Sequence, residues 1–102
     1  MTKRSDTFLS LVQSDPANPL FRFSLGQSLL QEGNTEEASV HLEKAVIAKA
    51  DWMMPKILLG KCYLVLGQKE QARMVLQEAL QCAVSQGHED PEAELRALLA
   101  NL

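Results

Sequence analysis

A chain of 102 residues with 46% hydrophobic and 23% charged side chains has ordinary globular proportions, which excludes disorder over most of its length and leaves room for one domain. The net charge of -3, with no stripe of lysines and arginines, argues against a phosphate-backbone ligand, and no apolar run reaches the ~18 residues that a membrane crossing needs. Two cysteines, Cys62 and Cys82, are too few for a disulfide scaffold and fit a reducing, cytoplasmic setting.

Taken in chain order, the first apolar piece is Phe8, Leu9, Leu11 and Val12. Ser10 and Gln13 interrupt it and no small-residue cleavage site follows, so it reads as a helix over 6–14 rather than a signal peptide. "DPANP" at 15–19 breaks that helix. Leu25, Leu29 and Leu30 then mark a second helix, which Gly33 ends; Asn34 is placed to cap a third, with Glu37 three residues later. Leu59, Tyr63, Leu64 and Leu66 precede Gly67 in the same way, and Ala72, Val75, Leu76, Ala79 and Leu80 carry the following helix towards Gly87. Last comes "EDPEAELRALLANL", with Asp90 as N-cap, Pro91 in the first turn, and Leu95, Leu98, Leu99 and Leu102 along one stripe. That stripe either caps the preceding helices or is offered to another chain. The expectation is all-α, with about six helices and no strand.

Shifting the sequence by 34 residues superposes the two middle segments. Leu25 falls on Leu59, Gly26 on Gly60, Leu30 on Leu64, Gly33 on Gly67, Glu36 on Glu70, Ala38 on Ala72, Leu42 on Leu76 and Ala45 on Ala79. Eight identities between 19–52 and 53–86 exceed the roughly two or three that chance supplies at ordinary composition. Each unit is a helical hairpin, because so short a turn forces its two helices to lie antiparallel and in contact. A glycine inside a helix costs ~1 kcal/mol relative to alanine, so Gly26 and Gly60 require an offset. Close approach of the paired helices supplies one, with Gly26 and Gly60 facing the small residues Ala38, Ala45, Ala72 and Ala79 as packing positions.

"LGKCY" at 59–63 followed by Ala72 and Ala79, and "LGQSL" followed by Ala38 and Ala45, resemble the tetratricopeptide repeat family, whose period is also 34. The resemblance implies antiparallel hairpins stacked as a short right-handed superhelix, with repeats at 19–52 and 53–86, an N-terminal capping helix at 6–14 and a C-terminal one at 91–101. Residues 6–14 resemble the second helix of a truncated unit. The family's tryptophan is replaced by Arg22 and Lys56, its later aromatic by Leu42 and Leu76, and its closing proline by Ala50 and Val84. Without that proline, the helix after Gly67 is expected to run long.

The same resemblance implies a concave groove lined by the first helix of each repeat. Its candidate lining is Leu20, Phe23, Gln27, Leu30 and Gln31, then Met54, Ile57, Lys61, Leu64 and Val65. This face is mainly apolar and suits an amphipathic helix; its competing reading is a core face covered by the terminal helices. Family members that hold chaperone C-terminal tails do so with a clamp of lysines, arginines and asparagines. Phe23, Gln27, Ile57 and Leu58 stand at those places, which argues against such tails. Trp52, at the junction of the repeats, reads either as a residue buried between hairpins or as a binding hot spot.

No chemistry emerges. His41, His88, Cys62 and Cys82 lack the paired short spacings of a zinc site, and His41 reads as solvated. No phosphate loop or nucleophile signature is present, and Glu36, Glu37, Glu43, Glu70 and Glu78 fit helix starts or outer faces. The sequence therefore predicts a non-enzymatic module without metal or cofactor, binding a protein or peptide but neither nucleic acid nor membrane. The alternative is a self-associating homodimer whose groove or last helix is buried between copies.

Overall fold

The structure, a computed structural model, describes residues 3–102, so the first two residues of the N-terminal stretch and of the expected single domain lie outside it. Among these residues the chain forms six helices and no strand: α1 (Arg4–Ser14), α2 (Pro19–Gln31), α3 (Thr35–Ala48), α4 (Met53–Val65), α5 (Lys69–Gln86) and α6 (Glu89–Ala100). They stack as antiparallel hairpins, and every extensive interface joins helices consecutive in the chain. A slighter contact brings α2 against α4.

The hairpin turns close alike. Gly33 (φ 85°) and Gly67 (φ 76°) take up the left-handed conformation that a side chain would strain, and the next amide, of Asn34 or Gln68, donates back to the carbonyl of Leu29 or Tyr63 at 2.9 and 2.8 Å. This geometry alters the expected cap. With ψ at 64° rather than extended, Asn34 cannot swing its side chain over the first amides of α3, and it caps through its backbone carbonyl alone. The side-chain cap is instead made by Asn18, whose Oδ1 accepts from the amides of Leu20 (2.9 Å) and Phe21 (3.3 Å).

Inside each hairpin the mid-helix glycine faces a leucine. A Cβ on Gly26 would lie 2.6 Å from Leu42 Cγ and 3.3 Å from the Ala38 carbonyl oxygen; on Gly60 it would lie 2.6 Å from Leu76 Cγ. The space therefore belongs chiefly to the two leucines, with the alanines beside them. Ala38, Ala45, Ala72 and Ala79 are fully buried, as are Leu42 and Leu76 themselves. Burying each leucine contributes about 1.5–3 kcal/mol, which outweighs the helix-propensity loss at its glycine.

α5 runs for 18 residues against 14 in α3, and ends at Gly87. Its added turn reaches the α3–α4 loop, where Gln86 Nε2 donates to the Asp51 carbonyl at 2.9 Å. Only Gly87 and His88 then remain before α6, so His88 takes the N-cap place and Asp90 falls within the first turn, not at the cap. Glu89, Asp90 and Glu92 there complement the helix dipole. Leu95 is fully buried, while Leu98, Leu99 and Leu102 pack partly buried against the core, which docks the α6 stripe within the chain. At the other end Val12 is buried, Phe8 packs against the core, and Leu9 is 39% exposed. Ser5 fastens α1 to the end of α2, donating from Oγ to Glu32 Oε1 at 2.8 Å.

Candidate functional site

The groove candidates on α2 and α4 differ in depth. Leu20 and Met54, at the starts of the two helices, are 55% and 41% exposed; Val65, Gln27 and Gln31 are exposed as well. Phe23, Leu30 and Leu64 are half-buried against the core. Ile57 is corrected: at 4% exposure it belongs to the core and offers nothing to a partner. α4 is apolar around most of its circumference, so the helical period alone does not say which side faces inwards.

Lys61 is half-buried and its Nζ lies 2.8 Å from Glu94 Oε1, which ties α6 to the side of α4. The terminal helices leave Leu20, Gln27, Gln31, Met54 and Val65 open to solvent. At the other end Trp52 stacks at a tilt on Phe23, ring centroids 4.8 Å apart and planes at 53°. Trp52 is partly buried and also borders, with Pro19, Leu20 and Lys49, a surface hollow of ≈ 330 Å³. It thus joins the repeats through one side of its ring and lines the surface with the rest.

Two long cations, Lys56 and Arg22, stand at matching places in the two repeats. Lys56 is only 7% exposed, with its stem packed inside and its Nζ 3.6 Å from Cys82 Sγ and 4.0 Å from Glu78 Oε2. Arg22 donates from Nε to the Pro16 carbonyl (3.1 Å) and from Nη1 to His41 Nδ1 (3.0 Å). His41 is therefore not solvated, as expected from the sequence, but half-buried and paired. Desolvation first, then the Arg22 charge, hold its pKa below the usual imidazole value. Burial pushes the Cys62 thiol up. Among the described residues no three histidine, cysteine, aspartate or glutamate side chains gather as metal ligands, and no helix is long and apolar enough to cross a membrane.

Sequence reasoning passed over the outer helices. Ile47 on α3 and Met74 on α5 are 74% and 64% exposed. Their signal was legible: both are large apolar residues that lie off the stripe that α3 and α5 bury.

Comparison with known proteins places this geometry. A sequence model of the tetratricopeptide repeat matches residues 21–50 and 56–82. TPR repeat-containing protein PA0015 of Pseudomonas aeruginosa is 32% identical over 85 residues, which cover 83% of this chain and 81% of the relative. Among solved structures, PcrH in complex with the chaperone binding region of PopD superposes with a TM-score of 0.89 at 21% identity, over 95% of this chain and 74% of that one. The Yersinia enterocolitica type III secretion translocator chaperone SycD gives 0.90 at 15%, over 95% and 68%. The TPR2B domain of yeast Sti1, in complex with an Hsp70 peptide, gives 0.85 at 12%, over 94% and 77%. At these identities the structural likeness is one of fold, whereas the repeat match and the relative at 32% identity concern the sequence itself. On that double correspondence, the chain belongs to the tetratricopeptide repeat family.

Proposed function

We propose that this protein is a non-catalytic interaction module that holds a peptide or amphipathic helix on the α2–α4 face. The observation that carries the reading is the exposure of Leu20, Met54 and Val65, large apolar residues at the open ends of the first helix of both repeats. Phe23 and Trp52 supply a rigid aromatic floor at one end, and Gln27, Gln31 and Lys61 supply polar partners along the face. PcrH and the Sti1 domain are described in complexes with protein or peptide segments, which supports the same class of partner here. The absence of the basic clamp at Phe23, Gln27, Ile57 and Leu58 argues for an apolar segment rather than a chaperone C-terminal tail.

The test compares proteins captured from the native cell extract by the wild type and by a Leu20→Glu, Met54→Glu, Val65→Glu variant that keeps its helical circular dichroism. Specific partners lost by the variant are the expected result, and an identical captured set assigns binding to another surface. Light scattering over a range of concentrations addresses self-association. A monomer leaves the face free, while a dimer dissociated by the same substitutions establishes the homodimer in its place.

A further inference from the structure

A second apolar surface lies on the opposite helices and does not depend on the proposed α2–α4 site. Between α3 and α5, above α4, runs a groove of ≈ 250 Å³ floored by Leu59 and Val75 and walled by Ile47 and Met74. That volume falls short of the ~300–1,000 Å³ that encloses a whole small ligand, and suits side-chain anchors of a larger partner. Two carboxylates, Glu43 and Glu78, stand on its lining, and among the described residues no lysine or arginine does. Glu78 is 55% exposed while Lys56 pairs with it at 4.0 Å from within, so its outer side stays open to solvent. Burial first, then the Glu43 charge and a hydrogen bond to its carboxylate, push the Tyr63 hydroxyl up, in keeping with Glu43 standing beside it on the groove lining.

From this juxtaposition of exposed apolar walls and outward-facing carboxylates, we infer that the α3–α5 groove docks a basic amphipathic helix, whose apolar side chains enter between Ile47 and Met74 while flanking lysines or arginines meet Glu43 and Glu78. A second copy of the chain is the poorer occupant, because its net charge of -3 repeats the sign already present.

The probe is a synthetic leucine–lysine amphipathic helix of about four turns, compared with its leucine–glutamate counterpart and a scrambled leucine–lysine peptide. Methyl resonances of the full chain report the binding site. The lysine helix is expected to shift the Ile47 and Met74 methyls, and the two control peptides are not. Glu43→Gln with Glu78→Gln should weaken binding by at least about fivefold and flatten its salt dependence. Leu20→Glu with Met54→Glu, which disables the other face, should leave it within about twofold, so failure of one site is distinguishable from failure of the other. Equal binding of a control peptide, no loss on removing the carboxylates, no methyl shifts at all, or shifts confined to Leu20 and Met54 would each overturn the inference. Concentration-dependent shifts of Ile47 and Met74 without peptide would overturn it in favour of a second copy.

Discussion

At Gly60 two effects of opposite sign compete. Alanine there gains ~1 kcal/mol of helix propensity, but its methyl would meet Leu76 Cγ at 2.6 Å, and overpacking of that kind costs about 1–3 kcal/mol. Leu76 is fully buried and has little room to give, so Gly60→Ala should lower urea-unfolding stability by about 1 kcal/mol. A stabilised variant would show that the helices have slack at this contact. Gly26→Ala should behave alike against Leu42. A second residue-scale prediction concerns His41. Its pKa in the folded chain lies below the ordinary 6.5, so the unfolded chain binds the proton more readily. The stability this gives is complete above pH 6.5 and is lost as pH falls from there towards the folded value. Protonation also places a cation against Arg22, whose Nη1 donates to His41 Nδ1. Chemical denaturation at stepped pH should show the decline in the wild type and a shallower one in His41→Gln.

At the scale of elements, α6 is held by burial rather than by charge. Leu95→Ala removes a fully buried side chain and should cost about 2–5 kcal/mol, detectable as an earlier thermal transition. Glu94→Gln breaks the 2.8 Å pair with Lys61, whose partners are both about half exposed, and should cost less than about 1 kcal/mol. The opposite ranking would make the ion pair the anchor. Helix existence was legible because each hairpin repeats a leucine, glycine and alanine pattern at a spacing of 34, and the long α5 followed from the lack of a proline at Val84. Helix starts were less legible. Asn34 and Asp90 are both good cap residues, but the left-handed glycine before each start decides how many residues remain to turn the chain.

For the whole molecule, the division between core and open surface depends on how one hairpin rotates against the next, which residue type does not encode. Ile57 and Met54 are both apolar and three residues apart on α4, yet one lies in the core and the other at the surface. Lys56 is the converse, a charged residue buried where the pattern has tryptophan. The stack of neighbours described above also governs how the chain reaches this state. Because each large interface closes between helices adjacent in sequence, few long loops must be ordered before contacts begin to stabilise them. The main folding phase should therefore take about a microsecond to milliseconds, the range of helical proteins with local contacts. Each of the four prolines holds about 10–30% cis in the unfolded chain, so refolding after long denaturation should add a phase of tens of seconds that a brief unfolding pulse largely removes.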